Sequence, residues 1–347
     1  MSDTLYILID VIKIAIVFVV VLAGAYLVII AERRFSGFIQ DRLGPNRVGP
    51  QGLLQTAADG LKLFMKEEII PEKADKVVFV LAPAIILIPA FLLFAVIPFG
   101  DKIMIAGKEV VLQIANLDFG ILFIFAIASL GVYGIVLGAW SSNNKYAFFG
   151  GIRASAQMIS YELTLGLSVV GIILVAGSLK LPEIVTQQHE MIFGIIPRWN
   201  VFVHPVAFIL FTIAAFAETN RLPFDLAECE QELVAGYHAE YTAMKFALFL
   251  FAEYINLIAS SALIVTLFFG GWHLPFIENI PMPDMLLQVL QILAFVLKTV
   301  FFITTYIWVR WTLPRFKYNQ LMFLGWKVLL PIAILNVLVT GIVVAIF

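Results

Sequence analysis

Residues 217–236 read AETNRLPFDLAECEQELVAG. Five carboxylates, Glu218, Asp225, Glu228, Glu230 and Glu232, fall within fifteen residues around one base, Arg221. On a soluble surface such a run is ordinary, but this one is wedged between apolar runs at 202–217 and 245–270. An acidic connector between two such runs reads as a loop joining membrane helices, and it sets the reading of the whole chain.

On either side of it, apolar windows near 6–31, 77–98, 117–140, 157–177, 202–217, 245–270, 286–308 and 326–346 approach or reach the length that crosses hydrocarbon. About 20 residues span roughly 30 Å. Backbone facing lipid must satisfy its own hydrogen bonds, and no stretch alternates as barrel strands do, so all eight are expected to be helices. The fifth is the shortest because it runs directly into the acidic stretch. Hydrophobic residues make up 62% of the chain and charged ones 13%, with a mean hydropathy of +1.00. Soluble domains have about 45–50% and 25%. The expectation is an all-α polytopic membrane protein, one integral domain over 1–347, with eight transmembrane helices. The N-terminus lacks the basic flank of a cleavable signal and is read as a retained span.

The first, third, fifth and seventh loops carry 14 basic residues and the other three carry 4. By the positive-inside rule the odd loops are cytoplasmic, and both termini lie on the periplasmic side. In the first loop, 32–76, prolines and glycines between Gly37 and Gly52 argue against continuous helix. From Gln51 to Lys66, Leu53, Leu54, Ala57, Leu61, Phe64 and Met65 share one helical face, and Gln55, Asp59, Lys62 and Lys66 the other. This amphipathic cytoplasmic-side helix either lies in the headgroup layer or walls a ligand chamber.

Net charge is -2, which implies no nucleic-acid partner. Cys229 is the only cysteine, so an iron–sulfur cluster held by several thiolates is excluded. The four histidines show no metal-ligand spacing, and no metal site is expected. Glu162, expected about five residues into its helix and so some 8 Å below the cytoplasmic boundary, Glu253 in the sixth helix and Glu218 at the end of the fifth all fall towards the acidic loop, 218–244. Buried charges are costly in a membrane, and like charges close together shift proton binding towards neutral pH. These acids suit a proton relay; the alternative is that each is paired or caps a helix, for instance Glu218 with Arg221 in a structural ion pair. Lys298, mid-way along the seventh helix, is a counter-charge or relay candidate.

Four stretches, ERRFSGFIQDRLGPNRVGPQGLLQTAADGLKLF (32–64), RASAQMISYELTLG (153–166), AETNRLPFDLAECEQELVAGYHAEY (217–241) and FAEYIN (251–256), occur in this order. Together they resemble the H subunit family of bacterial NADH:quinone oxidoreductase, respiratory complex I, over 31–326. The resemblance implies a bacterial inner-membrane subunit at the junction of a hydrophilic arm and a membrane arm. It implies a quinone substrate, with FMN and iron–sulfur clusters in partner subunits, among them the arm subunits around the terminal cluster, and contacts with neighbouring membrane-arm subunits and lipid. Carried over, Arg33, Arg42, Asp59 and Lys62 line the quinone chamber. Glu218, Asp225, Glu228, Glu230 and Glu232 lead inward from it, and Glu162 and Glu253 continue the path. Cys229 and Leu222 depart from the family pattern. Two other readings stay open: a homologous subunit of a hydrogenase or other-donor complex, and a lone secondary ion transporter, although no related halves with paired broken helices are visible.

Overall fold

In a computed structural model, residues 2–105, 108–192, 196–226, 234–275 and 283–346 are described. The main helices, in chain order, are α1 (Ser2–Ile39), α2 (Gln55–Met65), α3 (Lys76–Leu92), α4 (Gly120–Ser141), α5 (Lys145–Ala176), α6 (Leu181–Gln187), α7 (Pro205–Glu218), α8 (Ala243–Phe268), α9 (Asp284–Thr312) and α10 (Leu330–Ile346). A turn of helix and a π-helical turn at Leu324–Leu329 extend α10 back to Tyr318. Seven of the described helices are long and apolar enough to cross a membrane, and α7 is a shorter apolar helix. The eight expected spans are thus seven full ones and one short one.

Hydrogen bonds between loops show the up-and-down course of the chain. At one end Asp75 N donates to Ser141 O, and Phe316 N to Pro223 O; Asn144 bonds Glu240. At the other end Ile121 N donates to Leu179 O, and Lys180 pairs with Asp118. The first group joins odd loops and the second even loops; we call the former the acidic end. Two loops expected to be plain connectors carry small hairpins, β1 (Lys102–Ile105) with β2 (Lys108–Val111), and β3 (Met191–Ile192) with β4 (Ile196–Pro197).

Two helices begin or end well beyond their hydrophobic windows. α1 runs on to Ile39 because Glu32 and Arg33 find partners on other elements, so the chain breaks after them. Arg42 N bonds back to Gly37 O, where a Cβ on Gly37 would meet Arg42 O at 2.8 Å. α5 starts at Lys145, capped by Asn144 accepting from Tyr146 N, and the part before the expected window packs inward through the small residues Ala147, Gly150, Gly151 and Ala154, all buried. Hydropathy alone does not reveal this first half. With 32 residues, α5 is about 48 Å long, and Glu162 lies roughly 26 Å along it, near its middle rather than close to its start.

α5 packs against α4, α7 and α10, and α8 against α1, α2, α3 and α9. These two helices form the centre. Where α3 crosses α4, Gly134 lets Ile86 approach so closely that a Cβ would lie 2.2 Å from its side chain.

Candidate functional site

α7 has 14 residues, about 21 Å of helix against roughly 30 Å of hydrocarbon. Pro205 opens it, since proline suits a first helical turn. Its far end therefore stops inside the bundle, and that end is Glu218. The chain after it is not the surface loop expected from the sequence: Thr219, Asn220, Arg221, Phe224 and Leu226 are all buried. Unwound backbone there needs partners, and the fully buried Gln157 of α5 supplies them. Its Nε2 donates to Ala217 O at 2.8 Å, to Phe224 O at 2.7 Å and to Asn220 Oδ1 at 3.1 Å. Gln157 is absent from the residues expected at the site; a polar residue on an apolar helix is the signal that could have found it.

Arg221 does not pair with Glu218, contrary to the suggestion from sequence proximity. It turns the other way: Nη1 donates to Glu32 Oε2 at 2.8 Å, and Nε lies 2.7 Å from Glu253 Oε1. Its guanidinium sits 4.2 Å from the Tyr254 ring centre, a cation–π contact. Glu32 takes a second base, Arg310 Nη1, on its other oxygen. Two carboxylates and two guanidiniums thus balance. Such a group is stable when buried only because each charge is paired. Beside it Arg315 Nη2 donates to Asp225 Oδ2 at 2.7 Å. Burial pushes the Asp225 carboxyl up, and Arg315 opposes that shift. Glu32, Arg310 and Arg315 escape a reading of the sequence, because bases from 310–315 reach acids 90 or more residues away only through the fold.

Glu218 and Glu162 form the contrasting half. Neither has a basic partner within ion-pair distance among the described residues, and their charges act on one another. Between the two halves lies a cavity lined by Glu218, Glu253, Asn220, Asn256, Ser260 and Met158 among others, with about 60 Å³ open to the centres of water molecules. One water needs about 10–15 Å³ on that measure, so several fit. The site therefore places Glu253 of the balanced ion-pair group and the uncompensated Glu218 on the lining of one hydratable space, and such a space can pass protons between carboxylates.

On the acidic end, Arg33 of α1 pairs with Asp59 of α2, which also accepts from Gln55 at 3.1 Å. Arg42 bonds the nearby Gln40 and Ser36 side chains, and Lys62 is exposed. The apolar face read in α2 is not packed on this chain: Leu61, Phe64 and Met65 are exposed, and Thr56 is the buried residue. Glu228, Cys229, Glu230 and Glu232 lie outside the described residues; Leu222 precedes Pro223 through a cis peptide.

Lys298 lies at the opposite end of α8 from Glu253 and Arg221. Its Nζ donates to Phe269 O, Gly271 O and His273 O at 2.9, 3.0 and 2.7 Å, closing the far end of α8, where a cation suits a helix C-terminus. His189 and His273 stack there at 4.2 Å, although sequence spacing shows no relation between them.

The NADH dehydrogenase family profile matches residues 12–341. Among similar proteins are an NADH-quinone oxidoreductase H subunit of Cytophaga hutchinsonii, 50% identical with 91% of each chain covered, and the NADH-quinone oxidoreductase H subunit of Flavobacterium psychrophilum, 51% identical with 91% of each covered. NADH-quinone oxidoreductase subunit 8 of Rhodothermus marinus is 51% identical with 94% of each covered.

Proposed function

The chain belongs to the NADH dehydrogenase family as a relative of the H subunits of NADH-quinone oxidoreductase, and from that premise we propose that its buried carboxylates couple quinone reduction to proton movement. The observation that carries this is the cavity bordered by Glu218 and Glu253. It joins Glu253 of a charge-balanced network to Glu218, a carboxylate with no described counter-charge. Quinone reduction demands protons. Taking them from Glu228, Glu230, Glu232 or Asp225 changes the charge felt by Glu218, Glu162 and Glu253, and neighbouring membrane subunits receive that change electrostatically.

In this reading the acidic end faces the cytoplasm and both termini face the periplasm, as the distribution of basic residues favours. A quinone chamber opens at the acidic end, walled by Arg33, Arg42, Asp59 and Lys62, with the exposed apolar side of α2 turned to the quinone tail or lipid. A partner subunit of the hydrophilic arm, carrying the terminal iron–sulfur cluster, closes it. Electrons arrive from flavin and clusters there, since one cysteine in this chain cannot ligate such a cluster. The names of the relatives favour NADH as donor over a hydrogenase-type complex. Arg221 holds Glu32 and Glu253 in place, and Lys298 secures α8 at the far end rather than relaying protons.

The test is Glu218→Gln, with Glu228→Gln and Glu230→Gln beside it, in membranes containing the whole complex. Quinone-dependent proton pumping falls while NADH oxidation by an artificial acceptor is kept. Undiminished pumping in all three contradicts the proposal.

A further inference from the structure

The start of α8 makes two locally poor choices. Lys245 stands in its first turn, where the helix dipole disfavours a cation. Its residue is only 9% exposed, and a buried cation needs a partner. Thr242, at the N-cap position, leaves its own helix uncapped, although a threonine there usually accepts from the first turn. Both groups are used elsewhere. Lys245 Nζ meets Glu68 Oε2 at 2.6 Å, and Thr242 Oγ1 accepts from Ile69 N at 3.1 Å. Conflicts between local and global preference concentrate at functional sites.

Glu68 and Ile69 follow directly on α2, and tracing the contacts onward closes a ring. α2 is tied to α1 by Asp59 and Arg33. The neighbour of Arg33 on α1 is Glu32, which holds Arg221. Arg221 holds Glu253 of α8, and α8 returns to the end of α2 through Lys245 and Glu68. We propose that Lys245 and Glu68 are positioning residues that fix the amphipathic helix α2 to α8, so that the chamber wall and the Glu32–Arg221–Glu253 network move as one. This rests on the reading of α2 as a wall of the quinone chamber.

The experiment uses the assembled complex in native membranes with a short-chain quinone as acceptor, comparing Lys245→Met, Glu68→Gln, both together, and the exchange Glu68→Lys with Lys245→Glu. Each single change raises the quinone KM about tenfold, the effect of losing one positioning contact, with kcat little altered and artificial-acceptor activity kept. The double change is no worse than either single one, and the exchange restores most of the loss. Glu68 is half-exposed, so Glu68→Gln leaves the chain able to fold. Unchanged KM, additive losses, no recovery in the exchange, or loss of assembled complex in Glu68→Gln each overturn the proposal. Asp59→Asn is run alongside: if it raises KM while the tie variants do not, only the tie fails, and if it too has no effect, the chamber reading fails with it.

Discussion

At Arg221 one guanidinium holds two carboxylates from helices far apart in sequence, Glu32 of α1 and Glu253 of α8. Arg221→Met leaves both acids buried with one base fewer, which costs roughly 3–5 kcal/mol. The expected outcome is a marked loss of intact complex on a native gel and a lower melting temperature for what remains. Arg221→Lys should restore little, because a point charge cannot serve two carboxylates as the planar fork does. His238 offers a pH test. Burial lowers its pKa from 6.5 to about 4, so the folded chain keeps the ring neutral. Its contribution is complete above pH 6.5 and is lost as pH falls towards 4, roughly 3 kcal/mol in all. Melting of the solubilised complex followed across that range should show an acid arm that becomes shallower in His238→Phe. An identical arm in the variant would assign the loss to other groups.

Among the elements, the crossing of α3 and α4 depends on one missing methyl group. Gly134→Ala sets a Cβ against Ile86 in a closely packed seam, and overpacking of this kind costs about 1–3 kcal/mol. Gly166→Ala meets nothing within 4 Å and should be neutral or slightly stabilising, so heat inactivation of the two variants should part in opposite directions. The same level shows what a sequence can and cannot reveal. Apolar runs long enough to cross a membrane are visible because lipid imposes length and composition. The true start of α5 and the end of α1 are not, since glycine-rich turns of helix and polar side chains that find partners look, in one dimension, like loop. α7 is readable as short, yet only the fold shows that its shortness carries Glu218 into the bundle. The amphipathic period of α2 is correct, but period does not say which face the rest of the chain will cover.

For the whole molecule, the acids form a legible cluster and the bases do not. Glu162, Glu218 and Glu253 lie on neighbouring sequence features of the acidic side, whereas Arg310 and Arg315 come from the end of α9 and just beyond it to neutralise Glu32 and Asp225. The outcome is an asymmetric site: a hydratable cavity bordered by Glu253 of the balanced charge network and by the uncompensated Glu218. In the proposed coupling, quinone reduction changes the protonation of Glu218. An infrared difference spectrum of the intact complex, taken between its oxidised and NADH-reduced states, reads that change directly as a shift in carboxylic-acid absorption. The expected result is a carboxyl signal that disappears in Glu218→Gln and persists in Glu67→Gln, a change at an exposed acid of the first loop. Spectra of Glu218→Gln that match the unaltered complex would contradict coupling through this carboxylate.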